Sequence, residues 1–425
     1  MQKGDFLYQQ YINILKEELR PAMGCTEPIA LAYAGAKARQ ILGKRPDKVR
    51  LFVSGNIIKN VKSVVVPNTG GQHGLAAALC AGIVAGDAEK ELQVISKVPK
   101  ALHAEIKAYM DTVDLDIQPA YSELVFDIDV IEYAGSDCVR LRIINHHTNI
   151  VLIEKNGEKL VDLPITESSE DQLTDKSCLS IERIVEFTDC LDVEDIRECI
   201  SEQIRCNMEI AREGLEGDWG ANIGSVILRR QGTSVEKKAS AYAAAGSDAR
   251  MSGCEKPVMI VSGSGNQGIT ASVPVAVYAQ ETGASEEMLL KAVALSNLVT
   301  IHQKAGIGRL SAYCGAISAG CGAGAGIAYL NGGDAHAIAH TVVNAIAILS
   351  GTICDGAKPS CAAKIAAAVD AGILGYHMYL EGQQFYGGDG IVTKGVDNTV
   401  YNIGKLAREG MRETDRTILE IMLSN

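Results

Sequence analysis

Two stretches of small and apolar residues, 310–333 and 335–354, each run for twenty or more positions without a charged side chain. A segment of this kind either crosses a bilayer or lies at the centre of a helical core. The first is mostly Gly, Ala, Ser and Cys, and the second carries His336, His340 and Asn344, so neither has the transfer energy of a Leu/Ile/Val span. The pattern predicts buried, closely packed helices and no membrane insertion. Apolar residues make up 47% of the 425, ample for such a core. The expected fold class is α+β: a predominantly α-helical, Ala/Gly-rich catalytic core with a small inserted antiparallel β-sheet subdomain.

The same region holds three thiols of interest. Cys314 lies near the start of the first run, Cys354 closes the second, and Cys361 follows after Asp355-Gly356-Ala357-Lys358-Pro359-Ser360. That loop is too polar and turn-rich to be core. A helix-length segment and a proline-containing loop let the three thiols meet after one helical hairpin. Residues 1–20 lack the charged-then-apolar order of a secretory leader, so a reducing cytoplasm is expected, and twelve cysteines there argue for buried thiols or metal chemistry instead of disulfides. Three converging thiolates make either an incomplete zinc site or a [4Fe-4S] cluster with one iron not ligated by protein. The second option is a Lewis acid for a hydroxyl, thiol or carboxylate of a small substrate. Cys321, seven residues after Cys314, competes as fourth ligand. Cys80, Cys138, Cys178, Cys190, Cys199 and Cys206 read as small structural residues. His336 and His340 have the i, i+4 spacing of zinc sites but no third ligand nearby. The net charge of −12, without a Lys/Arg run and with one Trp and five Phe, argues against a nucleic-acid partner.

Ahead of these runs, Leu7, Tyr8, Tyr11, Ile12 and Leu15 predict an amphipathic helix over 5–20 that stops at Pro21. Thr26 as N-cap, with Glu27 and Pro28, then opens an Ala-rich helix to residue 41. Cys25 falls just outside that helix N-terminus, where the backbone dipole favours thiolate. Residues 48–67 are strand-like and lead through the loop 68–74 into a helix over 75–84. The logic returns at 258–261, followed by the loop 262–268 and a helix from about 273, as in a diverged internal repeat. Both loops offer glycine-freed amides at a helix start, a binder for carboxylate or phosphate. Candidate substrate contacts are Asn68, Thr69, Gly70, Gln72 and His73 in the first loop, and Ser262, Ser264, Asn266 and Gln267 in the second. Lys304 and His302, at the end of a helix predicted from Ser285, are further candidates for a substrate carboxylate.

Between these parts, alternation over 124–130 and 139–143 predicts antiparallel strands, and 151–161 a hairpin turning at Asn156-Gly157. His146 and His147, read as strand neighbours, face opposite sides. Residues 167–176 read as an acidic linker, and 193–213 as a charged amphipathic helix. The organisation expected is an N-terminal helical segment with strand and glycine loop, 1–93; a small antiparallel β subdomain, 94–165; and a helical cluster-binding domain, 179–425, packed against the first.

In combination, Met23-Gly24-Cys25-Thr26-Glu27-Pro28, the two glycine loops, Gly308-Arg309-Leu310-Ser311-Ala312 with Cys314-Gly315, and Cys354-Asp355-Gly356-Ala357-Lys358 with Cys361 resemble the L-cysteine desulfidase family. That family is similar to the alpha chain of iron-sulfur L-serine dehydratases. The resemblance runs over nearly the whole chain in the same order. It implies a [4Fe-4S] lyase that converts L-cysteine to pyruvate, ammonia and hydrogen sulfide, with Cys314, Cys354 and Cys361 as cluster ligands and Cys25 as acid/base. Pro359-Ser360-Cys361 is one residue longer than the Pro-Cys pair of the dehydratases, so L-serine dehydration stands as the alternative. A pyridoxal-phosphate lyase is a second alternative; it needs a Schiff-base lysine, for which Lys62 follows the first strand region, but gives no cysteine a reason to cluster. A non-catalytic Ala/Gly-rich membrane or thiol-buffering protein is the non-enzyme one. The partner expected is a small amino acid, L-cysteine, and assembly into a homo-oligomer is compatible with this reading.

Overall fold

The computed structural model describes residues 1–122, 124–165, 173–308 and 311–424. Helices dominate. The uncharged runs form the helices Gly315–Leu330 and Ala335–Leu349, followed by Cys361–Leu380. Among the described residues, no helix is long and apolar enough to cross a membrane. The glycines explain the packing: a Cβ at Gly320 would lie 2.4 Å from the Ala368 carbonyl oxygen, and one at Gly324 2.5 Å from that of Gly372. The helices Gly315–Leu330 and Cys361–Leu380 therefore meet backbone to backbone, an approach any larger residue would prevent. On another face, Gly322 lies against Ser296 and Thr300 of the helix Glu286–Ile307. A helix packed on several sides has no polar face to keep, and this one is buried from Ala316 to Tyr329.

The strands are β1 (Arg20–Met23), β2 (Lys48–Val53), β3 (Asp114–Pro119), β4 (Asp127–Ala134), β5 (Asp137–Ile144), β6 (Ile150–Lys155), β7 (Glu158–Asp162) and β8 (Pro257–Ile260). β1 and β8 pair antiparallel, and the other six form one sheet of order β3-β2-β4-β5-β6-β7. The antiparallel expectation holds from β2 through β7, but the sheet as a whole is mixed, because β2 runs parallel to β3. Parallel neighbours need a crossover, and the residues between β2 and β3 supply it with the helices Gly74–Ala85 and His103–Thr112. At the β6–β7 hairpin Asn156 and Gly157 take positive φ of 53° and 87°, the turn their residue types specify.

Two local expectations are corrected. Strand character is expected over 48–67, yet β2 stops at Val53 and a short helix, Gly55–Val61, follows. Ile57, Ile58 and Val61 have helical spacing and are all buried by it. The later helix begins at Gly265, not near Val273, and runs to Thr282 with Pro274 inside it. In the acidic linker, residues 167–172 lie outside the described residues, as do Arg309 and Leu310.

Apolar side chains gather into two large cores. One lies between the six-stranded sheet and the helices Thr26–Leu42 and Gly74–Ala85. The other fills the helical part from Leu179 to Ile418, and also takes the first helix, Phe6–Glu18. A separate small cluster of Cys25, Val64 and Met251 packs against Ala357 and Cys361 and joins distant parts of the chain.

Candidate active site

Tyr313 and Ile353 form an isolated antiparallel bridge. The Cys314 amide donates to the Thr352 carbonyl at 3.1 Å and the Cys354 amide to that of Ala312 at 2.6 Å. In this register Cys314 and Cys354 are diagonal neighbours on one face, close enough for each thiol to shift the titration of the other. The loop to Cys361 folds back through Gly356, at φ 98°, where a Cβ would fall 2.2 Å from the Lys59 carbonyl oxygen. Cys25 reaches the same place from the other side. All four cysteines line one cavity of about 120 Å³. Ligand pockets usually measure several hundred Å³, so this one suits small groups.

Helix ends set its electrostatics. Cys25 is the N-cap of Thr26–Leu42, Cys314 that of Gly315–Leu330, and Ser264 that of Gly265–Thr282, while Cys361 is the first residue of its helix. Four positive helix ends thus surround the cavity and favour negative charge within it. Contact with the Cys314 thiol, with Lys59 and Lys364 nearby, holds the Cys354 thiol below its ordinary range. The same contact and burial push the Cys314 thiol well up. Burial raises Cys361 too.

Cys25 departs from expectation. Burial, and then the Glu27 carboxylate, push its thiol well above the ordinary value, so it is a neutral thiol and not the thiolate expected at a helix end. Full desolvation of a thiolate costs more than a half-charge at the helix terminus returns. Its Sγ donates to Glu27 Oε2 at 3.2 Å. The carboxylate also accepts from Thr26 Oγ1 at 3.0 Å and Asn60 Nδ2 at 3.0 Å. Thr26, expected as the cap, is the first helical residue, and its hydroxyl also donates to the Gly263 carbonyl at 3.0 Å. That bond ties the Cys25 segment to the second glycine loop.

Ser262, Ser264, Asn266, Gln267 and Lys304 all line the cavity. Ser262 and Gly263, both at positive φ, form a two-residue turn closed by reciprocal backbone bonds between Val261 and Ser264. The first loop does not reach it: Asn68, Thr69, Gly70, Gln72 and His73 are absent from the lining. Asn68 Nδ2 instead donates to the Ile95 carbonyl at 2.9 Å, Thr69 Oγ1 to that of Val66 at 2.7 Å, and Gln72 Nε2 to that of Thr69 at 3.1 Å. Other candidates also lie elsewhere. Lys62 donates to the Met422 carbonyl. Cys321 is buried in its helix beside Gln303 and Tyr313. His340 stacks on Tyr379, and His336 meets the same ring edge-on. His302 meets Asp397 Oδ1 at 2.7 Å in a neighbouring cleft that shares Ser262 and Lys304 with the cavity.

Sequence reasoning missed several wall residues. Phe126, Asn145 and His147 reach the cavity from the sheet. The last two lie in the β5–β6 connection, not in a strand as expected for His147, and Asn145 has φ 64°. Lys59 and Asn60 come from the unexpected helix Gly55–Val61. Arg250, only 2% exposed, also lines the cavity. Its Nη1 donates to Asn266 Oδ1 at 3.0 Å, and its Nε has no partner. Gln267 Oε1 and the Tyr313 hydroxyl are likewise buried without partners. The signal for Arg250 was legible: with Asp248 it is one of two charges in the Ala/Ser-rich run 239–251.

Among the described residues, no three Cys, His, Asp or Glu side chains converge tightly enough to hold a single metal ion. In an iron-sulfur cluster each cysteine ligates its own iron, so the donors stand around a core and not around one point. Three thiols on one cavity, ringed by positive helix ends, fit such an anionic group.

A profile of the family described as serine dehydratase alpha chain matches residues 89–420. The chain is 58% identical over 424 residues to a UPF0597 protein of Desulfitobacterium hafniense, covering 100% of this chain and 99% of that one. It is 46% identical over 418 residues to a UPF0597 protein of Lachnoclostridium phytofermentans, covering 98% and 100%. To one of Treponema denticola the identity is 43% over 428 residues, covering 98% of each.

Proposed function

The chain belongs to the serine dehydratase alpha chain family, and from this premise we propose that it is a cytoplasmic [4Fe-4S]-dependent lyase whose substrate is L-cysteine. The products are pyruvate, ammonia and hydrogen sulfide. What carries the reading is that Cys25, Cys314, Cys354 and Cys361, far apart in sequence, line one small cavity. Cys314, Cys354 and Cys361 would hold the cluster, and an iron not ligated by protein would supply Lewis acidity toward the departing sulfur.

The remaining work falls to side chains. Cys25 holds a proton in the resting cavity and hands it to Glu27, its hydrogen-bonded neighbour, as the thiolate takes the substrate Cα proton. The N-terminus of the helix Gly265–Thr282 receives the substrate carboxylate. Phe126 and Tyr313 cover the cavity wall and limit water. Loss of the Cα proton and the β-thiol leaves 2-aminoacrylate, which tautomerises to the imine and hydrolyses in water. L-serine dehydration is the second reading, favoured by the description of the matching family.

Anaerobically purified protein tests this by sulfide release from L-cysteine beside pyruvate release from L-serine. Brown protein with about four irons per chain and sulfide as product is the expected result. Pyruvate from L-serine without sulfide from L-cysteine moves the assignment to the second reading. A yellow protein with a reducible imine sinks both in favour of pyridoxal phosphate.

A further inference from the structure

Arg250 is a buried cation with no negative partner among the described residues. Its guanidinium lies against Gly265, where a Cβ would sit 2.3 Å from Nε, so the first residue of the helix Gly265–Thr282 is a glycine that makes room for it. A positive side chain is thereby set at the positive end of a helix, the less favourable end for it. Burial compounds the cost, because a buried charge is tolerated when paired. Neighbouring carboxylates do not answer it. Asp248, two residues earlier, accepts from the backbone amides of Ala221 and Ile223 at 3.2 and 2.7 Å. Glu27, the only carboxylate lining the cavity among the described residues, is engaged by Cys25, Thr26 and Asn60. Arg250 itself makes one hydrogen bond, to a neutral amide, and leaves Nε unsatisfied.

One change removes both penalties: an anion in the cavity. We infer that Arg250, together with the N-terminus of the helix Gly265–Thr282, is the receptor for the carboxylate of the small-molecule ligand. The inference deepens the lyase reading and rests on it for the rest of the ligand. A planar guanidinium matches a carboxylate in shape and charge, which a loop of amides alone does not. The site then selects molecules that keep a carboxylate and rejects their decarboxylated amines, and it binds the 2-oxo acid product by the same group.

The test compares the full-length, anaerobically purified protein with Arg250→Met and Arg250→Lys. Calorimetric titration uses pyruvate, L-serine and ethanolamine as probes, and iron content and thermal midpoint are read on the same samples. In Arg250→Met, pyruvate and L-serine should bind on the order of a hundredfold more weakly, the loss of one member of a buried charge pair. Iron content and midpoint should hold, since an unpaired buried charge has been removed, and Arg250→Lys should recover part of the binding. Ethanolamine should bind weakly to every form. Unchanged pyruvate binding in both variants overturns the receptor. So does iron lost together with binding, which would assign Arg250 to the cluster, or a collapsed midpoint in Arg250→Met with binding intact in Arg250→Lys, which would assign it to folding. Pyruvate binding needs no turnover. Arg250-dependent binding in a protein that consumes neither L-cysteine nor L-serine upholds the receptor and sinks the lyase reading, and turnover with Arg250-independent binding does the reverse.

Discussion

The loop 68–74 belongs to the sheet-bearing part of the molecule and the loop 262–268 to the helical part. Both follow strand-like residues, both are rich in glycine and both open a helix, yet they have opposite fates. The first spends its polar side chains on nearby carbonyls, as Asn68 does with Ile95 and Gln72 with Thr69. The second sets Ser262, Ser264, Asn266 and Gln267 on the cavity. A glycine loop at a helix start is therefore a capacity for binding, and which wall it faces decides whether the capacity is used.

The sharpest break in that comparison sets cavity thiols against core thiols. Cys354→Ala should lose iron and turnover together, by at least about a thousandfold in rate if the cluster is essential. Cys25→Ala should keep its iron and lose turnover, whereas Cys321→Ala and Cys80→Ala should retain both. Iron analysis with an anaerobic rate assay reads all four, and loss of iron from Cys321→Ala would move the ligand set into the core.

Next in size is the backbone of the two loops. In Gly268→Ala the Cβ would lie 2.0 Å from the Met259 carbonyl oxygen, where strand and helix meet. Overpacking of this kind should cost about 3 kcal/mol. Gly71→Ala faces open space and pays only for its φ of 87°, about 1–2 kcal/mol. Urea denaturation midpoints measure both, and equal losses would undo the contrast.

For function, Gln267→Ala should raise the substrate KM about tenfold, the worth of one good hydrogen bond to a charged ligand. Gln72→Ala should stay within about twofold, since its bonds are local. Steady-state kinetics on the two variants suffice, and a larger effect at Gln72 would put the first loop back in the site.

The last effect is read against pH and concerns buried acids, one in each setting. Glu27 is held by three donors, but Glu132 on β4 is fully buried with neither oxygen partnered, and burial raises its carboxyl well above the ordinary value although Arg39 opposes this. The folded state then keeps a proton that the unfolded chain releases. Stability is complete below the unfolded carboxyl value and falls as pH rises toward the folded one, by up to about 1.4 kcal/mol per pH unit. Glu132→Met should flatten the slope of stability between pH 5 and 8 and be the more stable protein at pH 8. A slope unchanged by the substitution would assign it to other groups.

Much of the site was legible because its chemistry sits in local signatures. Cys314 and Cys354 bound uncharged runs that had to be core, and Cys361 follows a loop that had to turn, so their meeting followed from chain length and helix geometry. Cys25 was legible from the helix that follows it, but its protonation was not, because the dipole is local while the desolvation that outweighs it comes from the whole fold. Residues 55–61 read as strand until tertiary burial of Ile57, Ile58 and Val61 made them a helix.

Sequence alone determined the helical character and the hairpin turn at Asn156-Gly157, since each rests on contacts between residues near in the chain. Tertiary structure decided which glycine loop faces the cavity, and that Arg250 stands beside a helix N-terminus with no carboxylate among the described residues to meet it. The walls of the cavity come from segments as much as 237 residues apart, as in the bond from Thr26 to Gly263. Local propensity carries no information about such distances, and only the packing of the two cores brings those segments together.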